Sequence, residues 1–194
     1  MSKAEYRSAV RSRLLIRDAL ADLLTEKNLD KITVTDVVKH AGINRGTFYA
    51  HFSDIPDVIH HQIHETFLSV RTALSAQPLT IAQIPHVLLT ELQQILENDF
   101  LYYKKVMTSS ASGMIADLFI KVTIDYLLER EQDFGIKDHT QFLLMFRFCS
   151  GGLSNLYCDW FSGAYDFSLS ELTERAEMLL LSTVTGVIHF RKNP

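Results

Sequence analysis

Apolar positions along this chain recur at three- and four-residue intervals, and the strict alternation of a strand is scarce. Ile16, Ala19, Leu20, Leu23 and Leu24 follow i, i+3, i+4, i+7, i+8. That spacing lines one face of a helix and predicts a first helix from about Glu5 to Lys27, with Arg11, Arg13 and Arg17 mostly off the stripe. Asn28, Leu29 and Asp30 supply turn-forming residues at its end. Two short helices follow within residues 33–52. Longer ones are predicted near 54–75, 80–98, 100–110, 112–133, 139–162 and 169–190. Gln77-Pro78, Ser109-Ser110, Phe134-Gly135 and Ser162-Gly163 separate them. Asp138 stands three before Gln141 and Ser168 three before Glu171, the spacing of a capping box. The pattern predicts an all-α fold.

Composition adds size and setting. The chain has 194 residues, 47% of them hydrophobic and 22% charged, which suits a soluble protein with a substantial core. No apolar run reaches the length of a membrane span, so no membrane partner is expected. The opening MSKAEYRSAVRSR lacks the apolar segment of a secretory signal, which predicts a cytoplasmic location. Cys149 and Cys158 are nine residues apart; on one helix that is about 13 Å, too far for a disulfide. Two thiols in a reducing compartment are expected.

The net charge of −4 alone argues against a nucleic-acid partner, but its distribution argues otherwise. Residues 1–53 hold nine Lys/Arg against six Asp/Glu, and residues 54–194 hold ten against seventeen. This asymmetry points to the first segment as the one that meets DNA.

That segment holds the informative motif, residues 33–52, which reads Thr-Val-Thr-Asp-Val-Val-Lys-His-Ala-Gly-Ile-Asn-Arg-Gly-Thr-Phe-Tyr-Ala-His-Phe. Thr33 is placed to cap a short helix, with Asp36 favouring its positive end. Val37, Val38 and Ala41 face inward, Gly42 suits the left-handed stop of that helix, Ile43 plugs the turn and Asn44 caps a second helix. Phe48 and Phe52, four apart, anchor the second helix. Arg45, Gly46, Thr47, Tyr49 and His51 are left on or near its exposed face. A helix of this kind enters the major groove N-terminus first. Arg45 can offer a fork to a guanine edge, Gly46 permits close approach, and Thr47, Tyr49 and His51 can donate to phosphate oxygens. A helical hairpin buried in a larger bundle is the competing reading.

From about Ser12 to Val58 the chain resembles the DNA-binding domain of the TetR/AcrR family. The resemblance is carried by Ile-Thr-Val at 32–34, Ala-Gly-Ile at 41–43 and Thr-Phe-Tyr-Ala-His-Phe at 47–52. The Asn-Arg before Gly-Thr-Phe-Tyr, with Gly-Gly-Leu at 151–153 and Trp160, is similar to a branch near the dihydroxyacetone-kinase regulators. The resemblance implies that Thr33 and Thr35 meet phosphate, that Arg45 and Gly46 face bases, and that Thr47, Tyr49 and His51 contact phosphate. It implies two domains: an N-terminal three-helix helix-turn-helix domain over 8–70, and a C-terminal helical domain over 71–194 for ligand sensing and dimerisation. The family usually has a lysine that grips phosphate where this chain has Ile55, between Asp54 and Asp57. Backbone amides are then left to hold phosphate there. The alternative is that Ile55 is a buried staple against the first helix.

For the second domain, Phe148, Gly152, Leu156 and Phe161 follow near-helical spacing, and Gly151-Gly152 suits close helix packing. Leu180, Val184, Val187 and Ile188 supply a matching stripe. The expected dimer interface is therefore Phe148, Gly152, Leu156, Phe161, Leu180, Val184 and Val187, with packing inside one subunit an equal reading for any single residue. Tyr102, Tyr103, Phe119, Tyr126, Met145 and Tyr157 are candidates to line an inducer cavity, although core packing explains each and no ligand follows from them. His60 and His64 are four apart with His61 beside them, a spacing that can chelate a metal, yet no third ligand is evident beyond Glu65 and exposed histidines are the preferred reading. There is no nucleophile elbow, phosphate loop or clustered carboxylate pair, so no catalytic residue, cofactor or metal is assigned.

The sequence thus points to a ligand-responsive repressor that binds double-stranded operator DNA, an inverted repeat, as a homodimer, with an inducer of unspecified identity. The alternative is a small-molecule-binding or adaptor protein that keeps the fold without operator binding.

Overall fold

The computed structural model describes residues 3–189 apart from 131 and 133–137, with the side chains of 3, 4, 119, 122 and 186–189 also outside the description. Nine α-helices occur among the described residues: α1 (Lys3–Glu26), α2 (Val34–Ala41), α3 (Arg45–Tyr49), α4 (Ile55–Ser75), α5 (Ile84–Asn98), α6 (Phe100–Met107), α7 (Ser112–Leu128), α8 (His139–Phe161) and α9 (Leu169–His189). The described part of the chain is all-α, as the apolar spacing predicts. Local chemistry sets several of the ends. Asp138 accepts from the Gln141 amide at 3.0 Å and Ser168 from the Glu171 amide at 3.2 Å, each satisfying an N-terminal donor that has no partner within its helix. The α6 and α7 helices stop earlier than the sequence suggests, and the expected break at Phe134-Gly135 lies outside the described residues.

Two cores share α4. The first joins Ile16, Leu20 and Leu24 of α1, Val37 of α2, Phe48 of α3 and Ile55, Ile59 and Ile63 of α4, with Val106 of α6 and Ala111 closing it. The second joins Phe67, Val70 and Leu74 of the same α4 to residues of α5, α7, α8 and α9. The expected boundary between residues 70 and 71 therefore falls inside one continuous helix, and the side chains change core between Ile63 and Phe67.

Polar links tie α6 to the first core. Arg17 pairs with Asp99 at 2.7 Å and lies over the Tyr102 ring at 4.3 Å. Lys105 pairs with Asp22, which also meets His40 Nε2 of α2 at 3.1 Å. The Leu29 amide donates to Ser110 Oγ at 2.9 Å. Arg17, one of the three arginines set off the apolar stripe, thus pairs inside the chain. Among the described residues no helix is long and apolar enough to cross a membrane.

Candidate functional site

The helix-turn-helix is built from α2 and α3 by reciprocal caps. Thr33 Oγ1 accepts from the Asp36 amide at 3.2 Å, while the Thr33 amide donates to Asp36 Oδ2 at 2.9 Å. Lys27 adds an ion pair to Asp36 at 2.8 Å. Lys27, followed by the Thr33 donors, holds the Asp36 carboxyl well below the usual carboxylate range. The α2 helix ends at Gly42, whose φ of 64° lies in the left-handed region, where a side chain would be strained. The Ile43 amide then donates back to the Val38 carbonyl at 3.0 Å. Asn44 caps α3, its Oδ1 accepting from the Thr47 amide at 2.7 Å. Phe48 is fully buried beneath the helix, and burial of such a ring is worth about 1.5–3 kcal/mol.

With α3 anchored from below, its other face is open. Arg45, Gly46 and Tyr49 are exposed, Tyr49 at 56% of its surface. Thr47 and His51 are partly covered. Arg45 Nη2 donates to Thr35 Oγ1 at 2.7 Å, a link across the two motif helices that spacing alone does not reveal. Thr33 is exposed, but its hydroxyl donates to Asp36 Oδ2 at 2.8 Å, so capping is its observed role. Gly46 has a local reason as well: a Cβ there would stand 3.2 Å from Asn44 Oδ1, crowding the cap. Burial, then the charges of Arg13 and His61, hold the His51 imidazole below its ordinary value.

The start of α4 departs from the sequence expectation. Ile55 is only 6% exposed and belongs to the first core, as the staple reading has it. The Asp57 amide donates to Asp54 Oδ1 at 2.8 Å, and the Ser53 amide to Asp57 Oδ2 at 2.8 Å. Pro56, in the first turn, has no N–H. The expectation of free backbone amides for phosphate is therefore corrected. Two carboxylates already occupy this helix end.

The interface set divides. Phe148 is 76% exposed and Gly152 is open; Leu156 is half-buried in the core of α5, α8 and α9. Phe161, Leu180 and Val184 are buried inside the chain, Phe161 against Phe100 at 5.6 Å between ring centres, so they are corrected to internal packing residues. The Val187 side chain lies outside the described residues, as does that of Ile188. Leu144, Met178 and Leu179, outside the expected set, are among the most exposed apolar side chains; the same helical period runs through buried and exposed faces and does not tell them apart.

Of the cavity candidates, Tyr103, Met145 and Tyr157 line an internal space between α4 and α9, whereas Tyr102 and Tyr126 do not. Tyr102 lies under Arg17, and Tyr126 bonds Ser75 at 3.1 Å. The Phe119 side chain is outside the described residues. His61 packs edge-on against Phe52, ring centres 5.5 Å apart, and no group of three metal-ligating side chains is found among the described residues.

Caps, turn and anchored short helix together define a helix-turn-helix protein. The family model described as Bacterial regulatory proteins, tetR family, matches residues 16–60, which contains the whole motif. A curated relative, the Uncharacterized HTH-type transcriptional regulator YvdT of Bacillus subtilis (strain 168), is 35% identical over 63 residues, 30% of this chain and 32% of that protein; the match spans about a third of the relative's length. Two solved structures share the fold along most of the chain. One is the fatty acid degradation regulator FadR from Bacillus halodurans, with a TM-score of 0.62 and 18% identity over 87% of this chain and 94% of that one. The other is the Dihydroxyacetone kinase operon activator DhaS, with a TM-score of 0.56 and 17% identity over 90% and 96%. Over residues 16–60, the stretch that holds the helix-turn-helix, the chain is similar to the tetR family of bacterial regulatory proteins.

Proposed function

We propose that this chain is a ligand-responsive transcriptional repressor that binds an inverted-repeat operator as a homodimer. The observation that carries the reading is the open face of α3, where Arg45 and Tyr49 stand exposed on a helix fixed by Asn44 and Phe48. In this reading Arg45 and Gly46 face base edges, while Thr35, Thr47, Tyr49 and His51 contact phosphate, with Thr33 acting chiefly as a cap. Residues 8–70 form the DNA-binding unit and 71–194 the regulatory one, joined through α4.

Dimerisation through α8 and α9 is supported by the apolar side chains of Leu144, Phe148, Met178 and Leu179 left in the open. The glycine pair adds to it. A Cβ at Gly151 or Gly152 would meet nothing within 4 Å, so no internal contact requires glycine in α8, where each costs about 1 kcal/mol. A second copy approaching that face gives the pair a reason. Ligand response is supported by α4, which carries Ile55 in the first core and Ile63 and Thr66 on the cavity wall. A ligand that shifts α4 shifts the floor of the motif.

Mapping the chromosomal sites bound by the protein in its host, with transcript levels in a strain lacking it, tests the proposal. Binding upstream of a small set of genes whose transcripts rise on deletion is expected. Transcripts that fall on deletion would make the protein an activator, and no discrete sites would remove the regulatory reading.

A further inference from the structure

We infer that the internal cavity takes an uncharged, predominantly hydrocarbon molecule, in preference to an organic anion or cation. The inference rests on the reading of the chain as a ligand-responsive regulator. The cavity measures about 160 Å³ and is walled by every helix from α4 to α9. Among the described residues that line it there is no Asp, Glu, Lys, Arg, His, Asn or Gln. Leucines, isoleucines and Phe142 make up half of the wall, and most of the rest is apolar too.

The few polar side chains on the wall bring no charge, and several already have partners. Thr66 Oγ1 donates to the Gln62 carbonyl at 3.0 Å and pairs with Tyr103 Oη at 3.1 Å. Ser150 Oγ donates to the Arg147 carbonyl at 3.2 Å. Burial pushes the Tyr103 and Tyr157 phenols and the Cys149 thiol upward, so all three remain neutral near neutral pH. A carboxylate or ammonium entering this space would leave its hydration behind and meet no opposite charge. An apolar guest meets no such penalty, since apolar cavities of this scale tend to stay dry and admit apolar molecules.

The test uses the full chain and two dyes, phenylnaphthylamine and its sulfonated analogue anilinonaphthalene sulfonate, which share a ring system and differ in charge. Decanol, decanoate and decyltrimethylammonium then compete for the bound dye at pH about 8, where a free carboxylic acid is ionised. The uncharged dye is expected to bind saturably, one per chain. Decanol should displace it at a concentration at least about tenfold lower than either ion requires. Leu153→Trp, which narrows the cavity, should weaken dye binding while a melt verifies folding; the competition on the unsubstituted chain decides even if this variant does not fold. Equal displacement by decanoate or the ammonium, or no saturable dye binding, overturns the inference. Titrations of operator DNA separate the two readings. Decanol that enters without altering operator affinity leaves the cavity chemistry standing and defeats ligand response by this route. A response confined to one of the ions leaves ligand response standing and defeats the uncharged ligand.

Discussion

Ile55 shows how one side chain changes the meaning of a motif. Its burial in the first core leaves no room at that position for a cation reaching phosphate, and the neighbouring carboxylates of Asp54 and Asp57 cap α4. Ile55→Lys is therefore expected to cost about 1–3 kcal/mol of stability by burying an ammonium in an apolar core. A lowered melting temperature with an unchanged salt dependence of DNA binding supports this; a salt slope steeper by about 0.9, the release of one counterion, opposes it. Arg45 and Tyr49 are open and predict a different contrast. Arg45→Ala should lose about 1–3 kcal/mol of discrimination at one base position, whereas Tyr49→Phe should weaken all sequences alike. Titrations against operators changed one base pair at a time measure both. The caps at Thr33 and Asn44 and the stop at Gly42 were legible in the sequence because each acts on backbone three or four residues away. The Arg45–Thr35 bond was not, since it joins side chains of two helices whose crossing no spacing reveals.

Among the elements, α6 is the one whose role sequence reading did not foresee. It sits against α1 through Arg17–Asp99 and Asp22–Lys105, and its residue Val106 enters the first core. Lys105, then His40, holds the Asp22 carboxyl below its ordinary value of 3.8. A carboxylate so held contributes stability above that value and loses it as pH falls through the lower folded-state value. The pair is more than a third exposed, so its contribution is under about 1 kcal/mol. Asp22→Asn should lower the melting temperature slightly at neutral pH, and the difference from the parent should shrink below pH about 4. A gap that persists at acid pH would assign the effect to packing. The helices themselves were readable from apolar period and capping pairs. Their contacts were not, because Phe161, Leu180 and Val184 share the same spacing as the exposed positions around them, and only the packed chain separates inside from outside.

At the scale of the whole molecule, α4 joins the core of the helix-turn-helix to a cavity, and in the proposed dimer the open faces of α8 and α9 meet a second copy. Phe148→Glu places a charge on that face without touching either core, so association should weaken at least about tenfold while the melting of the single chain changes little. Sedimentation across a range of concentrations measures this, and an unchanged dimer would move the interface elsewhere. A two-fold protein presents two α3 helices to DNA, with half-sites expected about 34–36 Å apart or a multiple of it. The most direct test is selection of the full chain against duplexes of random sequence, followed by the protein-to-duplex ratio on the enriched DNA. Enrichment of an inverted repeat that binds the chain in dimeric units, lost in Arg45→Ala, is the predicted result; no enriched sequence, or a single half-site bound by one chain, would contradict it.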